Sequence, residues 1–412
     1  MVGEALTGMA ARTYNHPSGA RLRSWRTAMT SRERVLAALS HSEPDRVPFD
    51  LGTTFVTGIH RIAYERVVAA LGLGDLEAQP LLDPVQQLAM PHEQVLRELG
   101  VDTRSVYLKL PGRDIGTPEE DEDYFYSTDE WGLRRRMPRD GGLYYDMCAH
   151  PLAGVETVAD VDAYAWPDPL ASLDLDAVED ACRAIKASGD YPVIVGGFGS
   201  GMLELVLWLQ GYDQGYMNLL VNRPVTECIL DHVTRLKVVY AEAVLQRVGP
   251  YVDIFYNGDD LGLQDGPMIR REWFTDLLAP RYVQYHEAIR RGAPQAKLFF
   301  HTCGSVVALL PDVIETGIDI LNPVQVGAAG MGDTAALKRD FGDAISFWGA
   351  IDTQRVLPRG TPGEVRDEVR RRIDDLAPGG GYVLNPSHNI QADVPVANIL
   401  AMVEALDEFG WY

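Results

Sequence analysis

Cysteine is scarce in this sequence. Four occur, Cys148, Cys182, Cys228 and Cys303, with no close pair and no CxxC. That excludes a disulfide framework and fits a reducing cytosol. Long apolar runs are also missing: none reaches the roughly 18 residues of a membrane span. Basic residues are outnumbered, 37 Lys and Arg against 59 Asp and Glu, giving a formal charge of −22. Such a surface repels phosphate backbones and anionic lipid, so neither nucleic acid nor membrane is expected as a partner. It also disfavours a polyanionic substrate unless cations gather locally. No fixed-period repeat or low-complexity tract is present.

What is there is ordinary globular material. The 412 residues are 46% hydrophobic and 23% charged, enough for a large core in a cytoplasmic protein. Residues 1–28 carry Arg12, Arg21, Arg23 and Arg26 against Glu4 alone. Transit peptides share that composition, but the apolar core of a secretory signal is lacking, and the stretch reads as a disordered extension. A single domain is expected over 29–412. It opens on Thr30-Ser31-Arg32-Glu33, a capping box ahead of a helix that buries Val35, Leu36 and Leu39.

Along the domain, strand-like apolar runs alternate with helical patterns. The runs are Arg46–Asp50, Val101–Tyr107, Tyr191–Gly199, Val252–Asp260, Lys297–Gly304, Ile318–Gln325, Ala344–Asp352 and Gly381–Asn389. Most are almost continuously apolar, as strands buried on both faces are. Helical patterns at Met202–Leu209, Val225–Val248, Arg271–Arg291 and Pro362–Leu376 separate several of them. Eight such units predict an α/β fold, a closed (β/α)8 TIM barrel, with a doubly wound open sheet as the competing arrangement. An insertion at about 111–169 interrupts the alternation between early strands. It is first acidic (Glu119 to Asp123) and then aromatic (Trp131, Tyr144, Tyr145, Trp166). Tyr124–Tyr126, Leu133–Arg136 and Leu143–Tyr145 predict a small antiparallel excursion, either a cap over an active site or surface decoration.

Chemistry-bearing residues gather at the ends of the predicted strands. In Phe299-Phe300-His301-Thr302-Cys303-Gly304, positions i and i+2 of an extended segment point the same way. His301 and Cys303 therefore present nitrogen and sulfur to one point, a pair that zinc accepts; a buried thiol and a hydrogen-bonded imidazole fit the pattern too. His388 tips another apolar run, Tyr382 to Asn389, where it can join them as a ligand, hydrogen-bond a substrate or cap the loop. Asp259 and Asp260 end a third run, and adjacent residues of a strand face opposite ways. One of them is a candidate base, metal ligand or histidine orienter, and capping or pairing with arginine is the structural alternative. Asn322, Gln325 and Asp352 end further strands and are candidate substrate contacts. Gly196-Gly197-Phe198-Gly199-Ser200-Gly201 fails the GxGxxG spacing at Met202 and lacks the P-loop lysine. Its glycines, Gly199 among them, instead suit a close approach of backbone to a pocket or ligand.

Several motifs recur in an order met elsewhere. They are Asp45-Arg46-Val47-Pro48-Phe49-Asp50, Asp129-Glu130-Trp131-Gly132, Gly258-Asp259-Asp260-Leu261-Gly262 and His301-Thr302-Cys303-Gly304. Trp348-Gly349-Ala350-Ile351-Asp352 and Asn385-Pro386-Ser387-His388-Asn389-Ile390 complete the set. From about Met29 to the C-terminus the chain resembles the uroporphyrinogen decarboxylase superfamily, and within it the cobalamin-dependent methyltransferase branch. That resemblance implies a (β/α)8 barrel and a zinc ion on His301 and Cys303, with His388 the expected third ligand near the place of the family's own. It also implies a methyl group moved between a small donor or thiol and a corrinoid on a partner protein.

Two departures refine the expectation. The decarboxylases of the superfamily carry an arginine-rich clamp after the first strand, where this chain has Leu51-Gly52-Thr53-Thr54-Phe55. The thiol-activating methyltransferases carry a second cysteine on the last strand, where His388 stands. An imidazole in place of a thiolate makes zinc a stronger Lewis acid, which suits a departing alkoxide or phenolate. The expected reaction is therefore demethylation of an O-methyl compound by a Co(I) corrinoid. A metal-free decarboxylase and a non-catalytic binder of ligand or corrinoid protein are the alternatives. The oligomeric state, a homo-oligomer included, is left open.

Overall fold

The computed structural model describes residues 29–77, 79–108, 115–116 and 118–412. The expected extension at 1–28 and the first residues of the insertion, 111–114, lie outside the described residues. Seven strands form one parallel sheet: β1 (Arg104–Ser105), β2 (Val193–Gly196), β3 (Ile254–Gly258), β4 (Lys297–His301), β5 (Ile320–Asn322), β6 (Ser346–Ile351) and β7 (Tyr382–Pro386). Their spatial order is their chain order. Every residue of β2, β6 and β7 is buried, which accounts for the unbroken apolar runs in the sequence.

The remaining run, Arg46–Asp50, forms isolated bridges and ties the two edges of the sheet together. Leu384 N donates to Pro48 O and Asp50 N to Leu384 O on the β7 side, while Asp102 N donates to Phe49 O near β1. An open doubly wound sheet would have no such bonds between its edges. The side chain of Asp102 completes the junction. Its two oxygens accept from Arg34 Nη1 at 2.7 Å, Arg46 Nη2 at 2.8 Å, Phe49 N at 2.9 Å and Ser31 Oγ at 2.7 Å. A second tie crosses the ring from Asp50, which accepts from Thr103 Oγ1 at 2.6 Å and Trp348 Nε1 at 3.1 Å.

One alternate set of strand residues meets inside. Ile194, Ile254, Phe299, Ile320, Trp348 and Val383, one from each of β2 to β7, form a separate apolar cluster. Val35 and Leu39 of the first helix join it from below, and the predicted capping box of that helix is formed. This cluster sets the parity of the sheet: two residues beyond each interior position, the side chain again points inward.

Helices follow the expected pattern with one interruption. The run Arg271–Arg291 contains a π-helical turn at Phe274–Leu278 before the helix resumes at Ala279–Gly292. Pro280 lacks the N–H that would bond Asp276 O, so the backbone widens there. The insertion is a four-stranded antiparallel sheet of Glu119–Glu120, Tyr124–Thr128, Arg134–Pro138 and Asp146–Ala149. The third expected segment, Leu143–Tyr145, is not a strand. Leu143 and Tyr144 are exposed, and Tyr145 N is drawn away to Val85 O, so pairing begins only at Asp146.

Asp102 carries the test of this account. Asp102→Asn leaves Arg34 and Arg46 buried beside a neutral amide, with an expected loss of about 3–5 kcal/mol of unfolding free energy. Urea denaturation measures it; a loss below about 1 kcal/mol would remove the junction from its place in the fold.

Candidate metal centre and active site

His301 ends β4 in register with the interior residue Phe299, so it points into the mouth of the ring. Gly258, its register partner on β3, leaves the space; a Cβ there would lie 2.7 Å from His301 Cβ. Asn322 ends the next strand and is fully buried. Its Nδ2 donates to Trp348 O at 3.0 Å, which fixes the amide and aims Oδ1 at His301 Nδ1, 2.6 Å away. His301 Nδ1 must therefore donate, and Nε2 carries the lone pair.

The Nε2 of His301 is 3.3 Å from Cys303 Sγ and 3.6 Å from Asp260 Oδ1. His388 approaches from the far side of the mouth, its ring centroid 5.3 Å from that of His301. Ligand atoms of His301, Cys303 and His388 all lie within 4.8 Å of one another. Burial, followed by the neighbouring His301, holds His388 down to about 4 and so neutral. Burial and the charge of Asp260 push the Cys303 thiol well above its ordinary range. A thiol in that setting ionises when a cation offsets the cost. Nitrogen, sulfur and nitrogen around one point, with one imidazole oriented by an amide, fit zinc. One bond must yield: Asn389 N donates to His388 Nδ1 at 2.7 Å, which places the ring hydrogen on Nε2. To act as a ligand the neutral ring has to give up the Asn389 bond, either turning or moving its hydrogen to Nδ1 so that Nε2 is free.

A cavity of about 330 Å³ opens over this cluster, a size typical of small-molecule sites. His301, His388 and Asp260 lie on its lining together with the aromatics Phe55, Trp131, Tyr145, Trp208 and Tyr256. Trp131, Leu133, Arg135, Tyr145, Asp146 and Met147 come from the insertion, which thus forms a wall of the cavity. Its cations are engaged. Arg135 pairs with buried Asp129, and Lys237 Nζ donates to the carbonyls of Phe198 and Ser200. Burial depresses the Lys237 ammonium to about 8.

The two adjacent acids have separated. Asp260 shares the parity of Ile254 and Tyr256, lines the cavity and accepts from Cys303 N at 3.0 Å. Asp259 points outward and is fully buried beneath the helix Met202–Gln210. It accepts from Leu203 N at 2.7 Å, Glu204 N at 3.0 Å and Tyr282 Oη at 2.8 Å. The glycines of the 196–201 loop permit this packing. A Cβ at Gly201 would meet Asp259 Oδ1 at 2.0 Å, and one at Gly196 the Tyr256 ring at 2.4 Å. Gly199 lies on the lining against Trp131.

Asn322, Gln325 and Asp352 are not among the lining residues described. Gln325 Oε1 accepts from Gly304 N at 2.7 Å and braces the turn after Cys303. Asp352 accepts from Gln354 N and Arg355 N and borders a separate cleft with Arg355, Arg359, Arg371 and Arg372. Lys237 escaped the sequence reading, although a lysine between Thr234 and Tyr240 on the apolar stripe of a predicted helix is a signal of burial. The insertion aromatics were visible, but their contribution to the cavity was not.

The parallel α/β fold with donors converging at its mouth belongs to a known class. The profile described as uroporphyrinogen decarboxylase (URO-D) matches residues 148–409, and the chain belongs to that family. The uroporphyrinogen decarboxylase of Anaeromyxobacter dehalogenans is 26% identical over 269 residues, covering 62% of this chain and 70% of that protein. The methylcobamide:CoM methyltransferase MtaA of Methanosarcina barkeri is 25% identical over 252 residues, 60% of this chain and 68% of that protein. Among solved structures, a methyltransferase from Methanosarcina mazei shares the fold. It aligns with a TM-score of 0.64 at 21% identity, over 92% of this chain and 99% of that one.

Behind the cavity, His286 is fully buried. Its Nδ1 donates to Thr316 O at 2.8 Å, and its Nε2 lies 3.3 Å from Oδ1 of the lining residue Asn257. Burial depresses it to about 4. Between pH 6.5 and 4 the unfolded chain binds a proton here that the folded chain does not. Stability attributable to His286 is therefore present above pH 6.5 and falls as pH drops, by at most about 1.4 kcal/mol per unit. His286→Gln should flatten that part of the stability profile; an unchanged slope in urea titrations at pH 4 to 7 counts against the assignment.

Proposed function

We propose that this chain is a zinc-dependent methyltransferase on a (β/α)8 barrel, moving a methyl group from a small O-methyl donor to a corrinoid carried by a partner protein. The convergence of His301, Cys303 and His388 beneath an aromatic cavity carries this reading. The methyltransferase activity for which the Methanosarcina barkeri relative is named supports it.

Zinc held by these three side chains would supply Lewis acidity to the oxygen left behind when the methyl group departs. Asn322 holds His301 in the tautomer that offers Nε2. Asp260, on the lining and bonded to the backbone of Cys303, is the group placed to hold or return a proton at that oxygen. Asp259 acts one step removed, by fixing the helix whose first turn carries Glu204 onto the lining. Phe55, Trp131 and Tyr256 exclude water from the donor, and Gly199 lets Trp131 approach. Gln325 and Asp352 reach a substrate only through the loops they brace.

The family's name makes a metal-free decarboxylase the second reading. The composition of the lining speaks against a polycarboxylate substrate. Asp146, Glu204 and Asp260 contribute negative charge there, and both Arg135 and Lys237 are already engaged.

Metal analysis decides between the two. Purified protein should hold about one zinc in the cavity centre, absent from the His301→Ala, Cys303→Ala double variant together with methyl transfer to a corrinoid. Full activity in a variant whose cavity is free of zinc would overturn the proposal. Asn322→Ala keeps all three ligands but frees the His301 ring, and should weaken zinc binding about 10–100-fold. Competition against a chromophoric chelator reads that constant; an unchanged value would deny Asn322 its orienting role.

A further inference from the structure

We propose a second metal site, outside the cavity, in which Asp162, Cys228 and His232 bind a borderline divalent cation such as zinc(II) or cobalt(II). Cys228 and His232 stand four residues apart on the long helix Arg223–Val248, so their side chains leave the same face one turn apart. Asp162 ends the short helix Val158–Asp162, contributed by the insertion. The ligand atoms of all three lie within 4.8 Å of one another. His232 Nε2 is 2.8 Å from Asp162 Oδ1, and Cys228 Sγ is 3.5 Å from the same oxygen. Tetrahedral zinc, with bonds of about 2.0–2.3 Å, sets its donor atoms roughly 3.3–3.8 Å apart. The Cys228–Asp162 pair has that spacing already, and the His232–Asp162 pair has to open by about 0.5 Å.

Three further observations fit a built site. The indole of Trp166 stacks on His232 with centroids 4.7 Å apart and planes within 5°, which fixes the imidazole. One thiolate and one carboxylate neutralise a dication, and a mixed oxygen, nitrogen and sulfur set suits a borderline metal. Asp162 is exposed and the other two are partly so, leaving an ion a path and water a fourth position. One contact must break. Arg235 Nη2 donates to His232 Nδ1, which holds the hydrogen on Nε2. Arg235 is exposed and can swing into solvent.

The site is coupled to the cavity through aromatic rings. Trp166 meets Trp131 edge-on at 6.4 Å, and Trp131 lies 5.4 Å from Phe198, both on the cavity lining. A metal joining Asp162 to the long helix would therefore pin the wall that the insertion supplies.

Cobalt(II) titration of the full chain tests this without reliance on the cavity centre, because it is made in the His301→Ala, Cys303→Ala background. One equivalent should still bind there, with a thiolate-to-cobalt absorption band. Cys228→Ser should abolish the band, His232→Gln should weaken binding at least about tenfold, and Arg235→Ala should tighten it. In the otherwise unaltered chain, Cys228→Ser should lower the cobalt stoichiometry by one equivalent. No binding in the cavity-centre variant, or a band that survives Cys228→Ser, would overturn the proposal.

Discussion

The architecture depends on one buried carboxylate. Asp102 accepts from two guanidinium groups and a backbone amide where the first and last segments of the sheet meet. A carboxylate in that position is tolerable only because every partner is present; with one removed, a charge stays buried without compensation. The consequence reaches the site. In the sheet, β4 and β7 are separated by β5 and β6. On a flat sheet they would stand about 14 Å apart. Curling the sheet onto its own first segment brings His301, at the end of β4, and His388, just beyond β7, to 5.3 Å between ring centroids. The donor cluster is a product of closure, and Asp102 is where closure is fastened.

Much of this was legible in the sequence because parallel strands buried on both faces leave a simple mark. The runs at Val252–Asp260, Lys297–Gly304 and Gly381–Asn389 each contain the observed strand and overrun it by the few residues that carry chemistry. The His301-Thr302-Cys303 spacing translated directly into two side chains on one side of an extended segment. The separation of Asp259 from Asp260 was legible only as a choice of one. Deciding it required the parity of the whole sheet, set by Ile254 and Phe299 packing inside, and no local pattern in Gly258-Asp259-Asp260 carries that information. The insertion was harder still. Its strands depend on register rather than on an apolar pattern, and Tyr145 was claimed by Val85 instead of by its neighbour strand.

Glycine and lysine positions had to wait for the fold for another reason. Gly196, Gly201 and Gly258 are required by what lies opposite them: the Tyr256 ring, the Asp259 carboxylate and His301. Those opposing groups sit 43 to 60 positions away or are shared between strands, so the sequence records the space but not its occupant. Lys237 belongs to the same class. Its ammonium is held by the carbonyls of Phe198 and Ser200, groups that every residue possesses and no composition reveals.

The electrostatics of the mouth bind these features into one chemical argument. Cys303 sits where burial and Asp260 both oppose a thiolate, and His388 sits where burial and His301 both oppose an imidazolium. Left to itself the cluster is therefore neutral at sulfur and at His388. A dication reverses the first preference and exploits the second, since it needs a thiolate and neutral imidazoles. On the proposed reading, the resulting complex carries one negative ligand instead of two and retains more of the metal's charge. That residual charge has a use only if negative charge develops on the substrate as it reacts, and an O-methyl donor losing its methyl group meets the condition. Lining aromatics then serve the same end, because the attraction between that charge and a departing oxygen is worth more where water is kept away.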